Sequence, residues 1–168
     1  KREGTGDLLA GLPLWVCKTV GGTTFHWAGA SLRFKDHEFR ARSKYGEIEG
    51  ANLLDWPVEP NEMERFYSMA EDKMGVTGTH GIPRLPGNNN FQVMEYGAKA
   101  LGYNDVHTGN MSINSKARDG RPGCHQIGFC MAGCAIGAKW STLYTEIPRA
   151  EATGNFELRP ESMVLNIT

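Results

Sequence analysis

Three cysteines, Cys124, Cys130 and Cys134, fall in the spacing C-x5-C-x3-C, with Gly123, Gly128, Gly133 and Gly137 interleaved. No other feature constrains the chain as tightly. Thiols this close on a glycine-rich loop close a disulfide, ligate a metal centre, or sit buried as small apolar side chains. An odd trio suits a disulfide framework poorly, and the fourth cysteine, Cys17, lies more than a hundred residues away. Cys130 and Cys134, if helical, would also make a poor disulfide pair. Iron–sulfur clusters are held by thiolates and accept hydrogen bonds from the surrounding backbone. Glycines let that backbone come close. Three thiolates match a [3Fe–4S] cluster, which lacks one iron corner. Zinc competes, with His125 as a fourth ligand. Adjacent side chains such as Cys124 and His125 rarely reach one tetrahedral centre together. Three inert buried thiols remain the third possibility.

The bulk numbers narrow the rest. The chain has 168 residues, enough for one domain with a core. With Lys plus Arg at 18 and Asp plus Glu at 19, the net charge is −1. That balance gives no field to draw nucleic acid or an anionic membrane. No apolar run approaches the ~20 residues of a membrane helix. Glycine, at 21 of 168 residues, exceeds the usual share of about 7%. The chain begins at Lys1 without an initiator Met or signal peptide and ends at Thr168 inside an expected strand, so both ends read as cut.

Along the chain, a short apolar run at 12–16 precedes a second glycine loop, Val20-Gly21-Gly22-Thr23-Thr24-Phe25-His26-Trp27-Ala28-Gly29-Ala30. Residues 31–58 read as irregular, with a turn at Asp55-Trp56-Pro57. Periodicity predicts a helix over 61–74, with Asn61 as cap, Gly75 as stop, and Met63, Phe66, Tyr67, Ala70 and Met74 as its core face. A second helix is expected over 91–101, capped by Asn90 and stopped by Gly102, with Phe91, Met94, Ala98 and Leu101 on one face. Residues 103–138 read as loop, with Arg118, Asp119 and Arg121 as loop charges. Residues 140–152 read as partly helical, broken or restarted at Pro148, and 156–167 as strand with a turn at Arg159-Pro160-Glu161. His37, His80 and His107 read as surface or loop residues. The sum is a mixed α and β chain.

Gly123 to Thr142, with its three cysteines and the run Gly137-Ala138-Lys139-Trp140-Ser141-Thr142, resembles the iron–sulfur-containing subgroup of the glucose-methanol-choline (GMC) oxidoreductases. The loop Val20 to Trp27 and the run Pro86-Gly87-Asn88-Asn89-Asn90 extend the likeness over nearly the whole chain. The cysteine spacing is fairly specific; the Gly-Gly-Thr-Thr loop alone is weak. The resemblance implies an α/β fold (α+β mixed), here a fragment of a GMC-type FAD-binding domain plus part of the substrate and cluster region. It divides the chain into an FAD-domain segment with the flavin loop at 1–40, a helical and loop segment with the cysteines at 41–138, and a return to the FAD domain at 139–168.

The same likeness implies FAD as cofactor, with Gly21, Gly22, Thr23, Thr24, His26 and Trp27 as cofactor-binding residues. In some relatives a His at this place is bonded covalently to the flavin; both modes stay open for His26. It further implies a [3Fe–4S] cluster on Cys124, Cys130 and Cys134. The substrate would be a sugar, sugar acid or polyol, and electrons would pass to a cytochrome c subunit, with a small chaperone-like subunit alongside. The location implied is periplasmic, with membrane association through partners. The family's Gly-x-Gly-x-x-Gly fingerprint is absent, and its catalytic His lies beyond residue 168. No catalytic residue is therefore expected here, and the chain alone is expected to be inactive. Two rivals remain: a zinc-stapled binding module, and a flavin oxidase relative with structural cysteines.

Overall fold

The computed structural model describes residues 17–167. The apolar run at 12–16 lies outside them.

A short extended segment, 110–114, is the hub. Its Ser112, Ile113 and Asn114 are all buried. On one edge it pairs antiparallel with 29–31, through Ser31 N to Asn110 O at 3.0 Å and Ser112 N to Gly29 O at 2.7 Å. On the other edge it pairs antiparallel with 138–140, through Asn114 N to Ala138 O at 2.9 Å and Trp140 N to Ser112 O at 2.8 Å. The amides thus find partners across eighty residues on one side and about twenty-five on the other. The loop after the third helix closes the hub, with Thr77 N donating to Met111 O at 2.9 Å and Thr77 Oγ1 accepting from Met111 N at 3.0 Å.

This core is largely polar. Glu71, Thr77, Ser112, Asn114, Arg121, Lys139, Ser141 and Thr145 are buried beside Phe39, Val76, Ile113 and Ala138. Buried polar groups are tolerated when they are bonded. The Asn114 amide donates to the carbonyls of Arg118 (3.2 Å), Arg121 (3.4 Å) and Pro122 (3.4 Å), so the 115–122 loop wraps one side chain. Arg121 is 7% exposed, and its Nη1 donates to the Gly137 and Ala138 carbonyls, both at 3.2 Å. It is a structural cation rather than a loop charge, because those carbonyls face the interior. Arg118 reaches Asp72 of the third helix, and Asp119 pairs with Arg149.

The helices are α1 (Asp36–Phe39), α2 (Ala41–Tyr45), α3 (Pro60–Met74), α4 (Asn89–Ala100) and α5 (Glu146–Glu151). α1 and α2 occupy part of the stretch read as irregular; they are too short to show a period. α3 starts at Pro60, suited to a first helical position, and is capped by a Glu59/Glu62 box rather than by Asn61. Gly75 ends it at φ 69°. Its buried residue is not one of the predicted apolar stripe but Glu71, held by Arg33 through Nε–Oε1 at 2.6 Å and Nη2–Oε2 at 2.7 Å. Phe66 is 48% exposed, so the predicted core face is only partly inward.

α4 is capped by Asn88, whose Oδ1 accepts from Phe91 N at 3.0 Å, rather than by Asn90. Its Met94 and Leu101 point outward, against the core expectation. Pro148 lies in the first turn of α5, where a missing N–H costs no helical bond, and so breaks nothing. Residues 156–167 form no strand, because among the described residues no segment pairs with them. The turn at Pro160 and Glu161 is present. Sheet content among the described residues is limited to isolated bridges, so only the helical part of the expected mixed fold is developed in these residues.

Candidate functional site

The two glycine loops, about a hundred residues apart in sequence, pack on each other. Gly133 of the cysteine loop lies so close to Phe25 that a Cβ there would meet Phe25 Cζ at 2.6 Å and Cε1 at 2.8 Å. Gly133 also has φ 101° and ψ 154°, a backbone region open essentially to glycine. Met131 of the cysteine loop joins Thr23, Thr24, His26, Trp27 and Ala28 in lining one cavity of about 330 Å3.

The Gly-Gly loop is shaped by its own hydroxyls. Gly21, at φ 90° and ψ −8°, turns the chain into a 3-10 turn over Gly22–Phe25. Thr24 Oγ1 donates to Gly21 O at 2.6 Å and accepts from Thr142 N at 3.2 Å, while Thr142 Oγ1 donates to Gly21 O at 2.9 Å. Trp27 Nε1 donates to Trp140 O at 2.8 Å, and the two indoles meet edge to face at 6.1 Å. The Thr24 hydroxyl and the Trp27 N–H are thus used in joining the loop to 140–142. Gly22 has open space around it, whereas Gly21 backs onto Leu143. Thr23 is exposed and His26 half-buried.

Cys124, Cys130 and Cys134 all line a second cavity of about 330 Å3, together with His125, Ile127 and Phe129. Cys17 lines a different cleft, with Val20, Ile147 and Pro160. All four thiols are free and half-buried. Burial pushes the Cys130 thiol up, with the neighbouring Cys124 adding to the rise, Lys139 opposing it, and Cys134 adding a little more. Backbone amides already reach two of the sulfurs: Gln126 N donates to Cys124 Sγ at 3.3 Å and Lys139 N to Cys134 Sγ at 3.4 Å. Tyr144 Oη and Gly137 N both donate to Cys134 O at 3.0 Å, anchoring the last cysteine.

Lys139, which sequence reasoning passed over except as part of a run, is fully buried. Its Nζ donates to three carbonyls: Phe25 at 2.8 Å, Trp27 at 2.6 Å and Cys130 at 2.5 Å. Burial pushes its ammonium below the ordinary lysine value, while Cys130 and Cys134 act in the opposite direction. The available signal was a lysine amid small residues immediately after the last cysteine.

The remaining histidines lie elsewhere. His37, His80 and His107 line a wide cleft with Arg33, Glu71 and Arg84, and the half-buried His37 meets Tyr45 edge to face at 6.5 Å.

The sequence pattern of the GMC oxidoreductases matches residues 11–168. The chain belongs to the GMC oxidoreductase family. It is 34% identical over 153 residues to the fructose dehydrogenase large subunit of Gluconobacter japonicus, covering 83% of this chain and 27% of that protein. It is 30% identical to the paromamine 6'-oxidase of Streptomyces fradiae, over 86% of this chain and 27% of that one. The gluconate 2-dehydrogenase flavoprotein of Pantoea cypripedii is 26% identical, over 88% and 30% respectively. The chain therefore spans under a third of the length of these relatives.

Family membership implies FAD. The Gly-Gly loop fits one wall of a flavin site: its backbone is bare at Gly22, and Thr23, His26 and Trp27 line an adjoining cavity. The cysteine loop offers three thiols around one cavity to the group that its spacing suggests. Among the described residues no three His, Cys, Asp or Glu side chains gather as ligands of one metal ion. Three thiols line that cavity, and two of them receive backbone N–H groups, a donor set of the kind that thiolate-held clusters use.

Proposed function

We propose that the polypeptide carrying these residues is an FAD-dependent dehydrogenase that oxidises a hydroxyl of a sugar, sugar acid or polyol. In this reading Cys124, Cys130 and Cys134 hold a [3Fe–4S] cluster that hands electrons to a cytochrome c subunit, in the periplasm, with a small chaperone-like subunit as further partner. When bound, FAD supplies a two-electron acceptor and the cluster a one-electron carrier. The observation that carries the reading is the packing of the cysteine loop against the Gly-Gly loop, with all three cluster thiols around one cavity.

Each part of the chain has a task. Gly21 and Gly22 bring the backbone up to the cofactor. Thr24 and Thr142 hold that turn in shape through Gly21 O. Trp27 locks the loop to 140–142, and His26 borders the cavity where a flavin ring edge would lie. The cysteine loop offers no acid–base pair of its own. Asp119 is engaged by Arg149 and Arg118, and Arg121 by backbone carbonyls. Its role is electron exit, not proton transfer.

In the full-length protein, Cys130→Ser should leave flavin reduction by substrate largely unchanged in single-turnover mixing. It should slow cytochrome reduction by at least tenfold. A folded, flavin-loaded Cys130→Ser protein that reduced its cytochrome at the normal rate would overturn the relay. A second reading, an oxidase with purely structural cysteines, draws on the relative named as an oxidase; it predicts direct use of oxygen and no iron.

A further inference from the structure

The Lys139 side chain is out of place unless something nearby is negative. An ammonium is costly to bury without a partner. Here it has no solvent contact, and among the described residues no carboxylate pairs with it. Its three N–H groups are matched one to one by three carbonyls, an arrangement that a neutral amine with two N–H groups could not fill. Two of those carbonyls, Phe25 and Trp27, belong to the Gly-Gly loop; the third, Cys130, belongs to the cysteine loop. Lys139 meets two of the three cysteines directly, since Cys130 O accepts from its Nζ and its own N–H reaches Cys134 Sγ.

The backbone of Lys139 is equally fixed. It bridges to Ile113 of the hub, and its N–H reaches Cys134 Sγ. Its stem packs under Gly29, where an added Cβ would stand 3.5 Å from Lys139 Cγ. The side chain therefore starts on the hub and ends between the two loops.

We propose that Lys139 is a positioning residue that clamps the flavin loop to the cysteine loop and supplies the buried positive charge against which the thiolate-held group is balanced. The inference rests on the dehydrogenase reading above. It adds a residue that touches neither cofactor directly but sets the separation of the two sites and the charge beneath one of them.

The test uses the full-length protein with Lys139→Met, which keeps the stem and removes the charge, and Lys139→Arg, which keeps the charge. Three quantities are read: iron and acid-labile sulfide per chain, flavin per chain, and the cluster midpoint from a redox titration followed by electron paramagnetic resonance. Lys139→Met should lower the ratio of reduced to oxidised cluster at fixed potential about a hundredfold. That is the size a unit charge has across several ångströms at an effective dielectric of about 20. Flavin content should fall with it, because the loop loses two of its tethers. Lys139→Arg should return the midpoint toward the parent value. A Lys139→Met protein with the parent midpoint and parent flavin content would overturn the proposal. If Lys139→Met assembles no cluster, recovery of the cluster in Lys139→Arg supports it, and equal failure of both assigns Lys139 to packing alone and overturns it. A parent protein without iron and sulfide would instead sink the dehydrogenase relay, leaving the flavin content of Lys139→Met to decide whether the loops are clamped.

Discussion

Gly133→Ala should be among the most damaging single-methyl additions in this chain. Two independent costs apply. The backbone at φ 101° and ψ 154° lies in a region that residues with a Cβ adopt only under strain, on the order of 1–3 kcal/mol. The new methyl would also stand 2.6 Å from Phe25 Cζ and 2.8 Å from Cε1. The Phe25 ring must move to admit the methyl, while its backbone is held at the carbonyl by Lys139. Overpacking of this kind adds about 1–3 kcal/mol. Gly128→Ala is the matched control. Gly128 is in the same loop, also has positive φ at 86°, and has nothing within 4 Å of an added Cβ. Urea unfolding of the full-length protein should therefore place Gly133→Ala about 1–3 kcal/mol below Gly128→Ala. Equal midpoints for the two variants would show that the cysteine and flavin loops do not pack as described.

Two further perturbations probe the scaffold. Arg33→Met removes both arms of the fork on the buried Glu71, and since Arg33 itself is about one-third exposed, the loss should fall near the low end for a buried pair, about 3 kcal/mol in chemical unfolding; a loss under 0.5 kcal/mol would contradict the pairing. Asp55 is held below the ordinary carboxylate value, first by the Ser43 hydroxyl and then by the Ser43 amide. The folded state thus binds that proton more weakly than the unfolded one. Its contribution is full above about pH 4, the unfolded value, and is lost as pH falls through the lower folded value. In Ser43→Ala, carboxyl-detected NMR should show Asp55 titrating closer to its ordinary value, and an unmoved titration would refute the bond.

The parts of the fold that were legible in the sequence are those whose causes are local. α3 and α4 announce themselves through their apolar period and, for α3, the stop at Gly75, while their starts are set by Glu59, Pro60 and Asn88 rather than by the expected caps Asn61 and Asn90. Their ends shifted by a residue or two because neighbouring residues compete for the same cap. Their inward faces were misjudged: hydrophobic period points to Phe66 and Met94, yet the buried residue of α3 is Glu71, chosen by an arginine nearly forty positions earlier. The same is true of the hub. Asn114, Arg121 and Lys139 are ordinary polar letters until the partners that satisfy them, up to 114 residues away, are known. The strand expected at 156–167 failed for a related reason, since an extended segment becomes a strand only when something lies beside it. The candidate site was legible as two separate glycine loops, through the cysteine spacing and the Gly-Gly-Thr-Thr run. Their contact at Gly133 and Phe25, and the lysine beneath it, are tertiary facts.

Iron, zinc and acid-labile sulfide in the purified full-length protein, with an electron paramagnetic resonance spectrum of its oxidised state, test the assignment of the three cysteines most directly. Close to three irons and four sulfides per chain are expected, with a signal near g 2.0, since an odd number of ferric ions leaves an unpaired spin. Both iron and signal should vanish in Cys130→Ser. Zinc in place of iron, or a folded and flavin-loaded protein with neither iron nor labile sulfide, would contradict it.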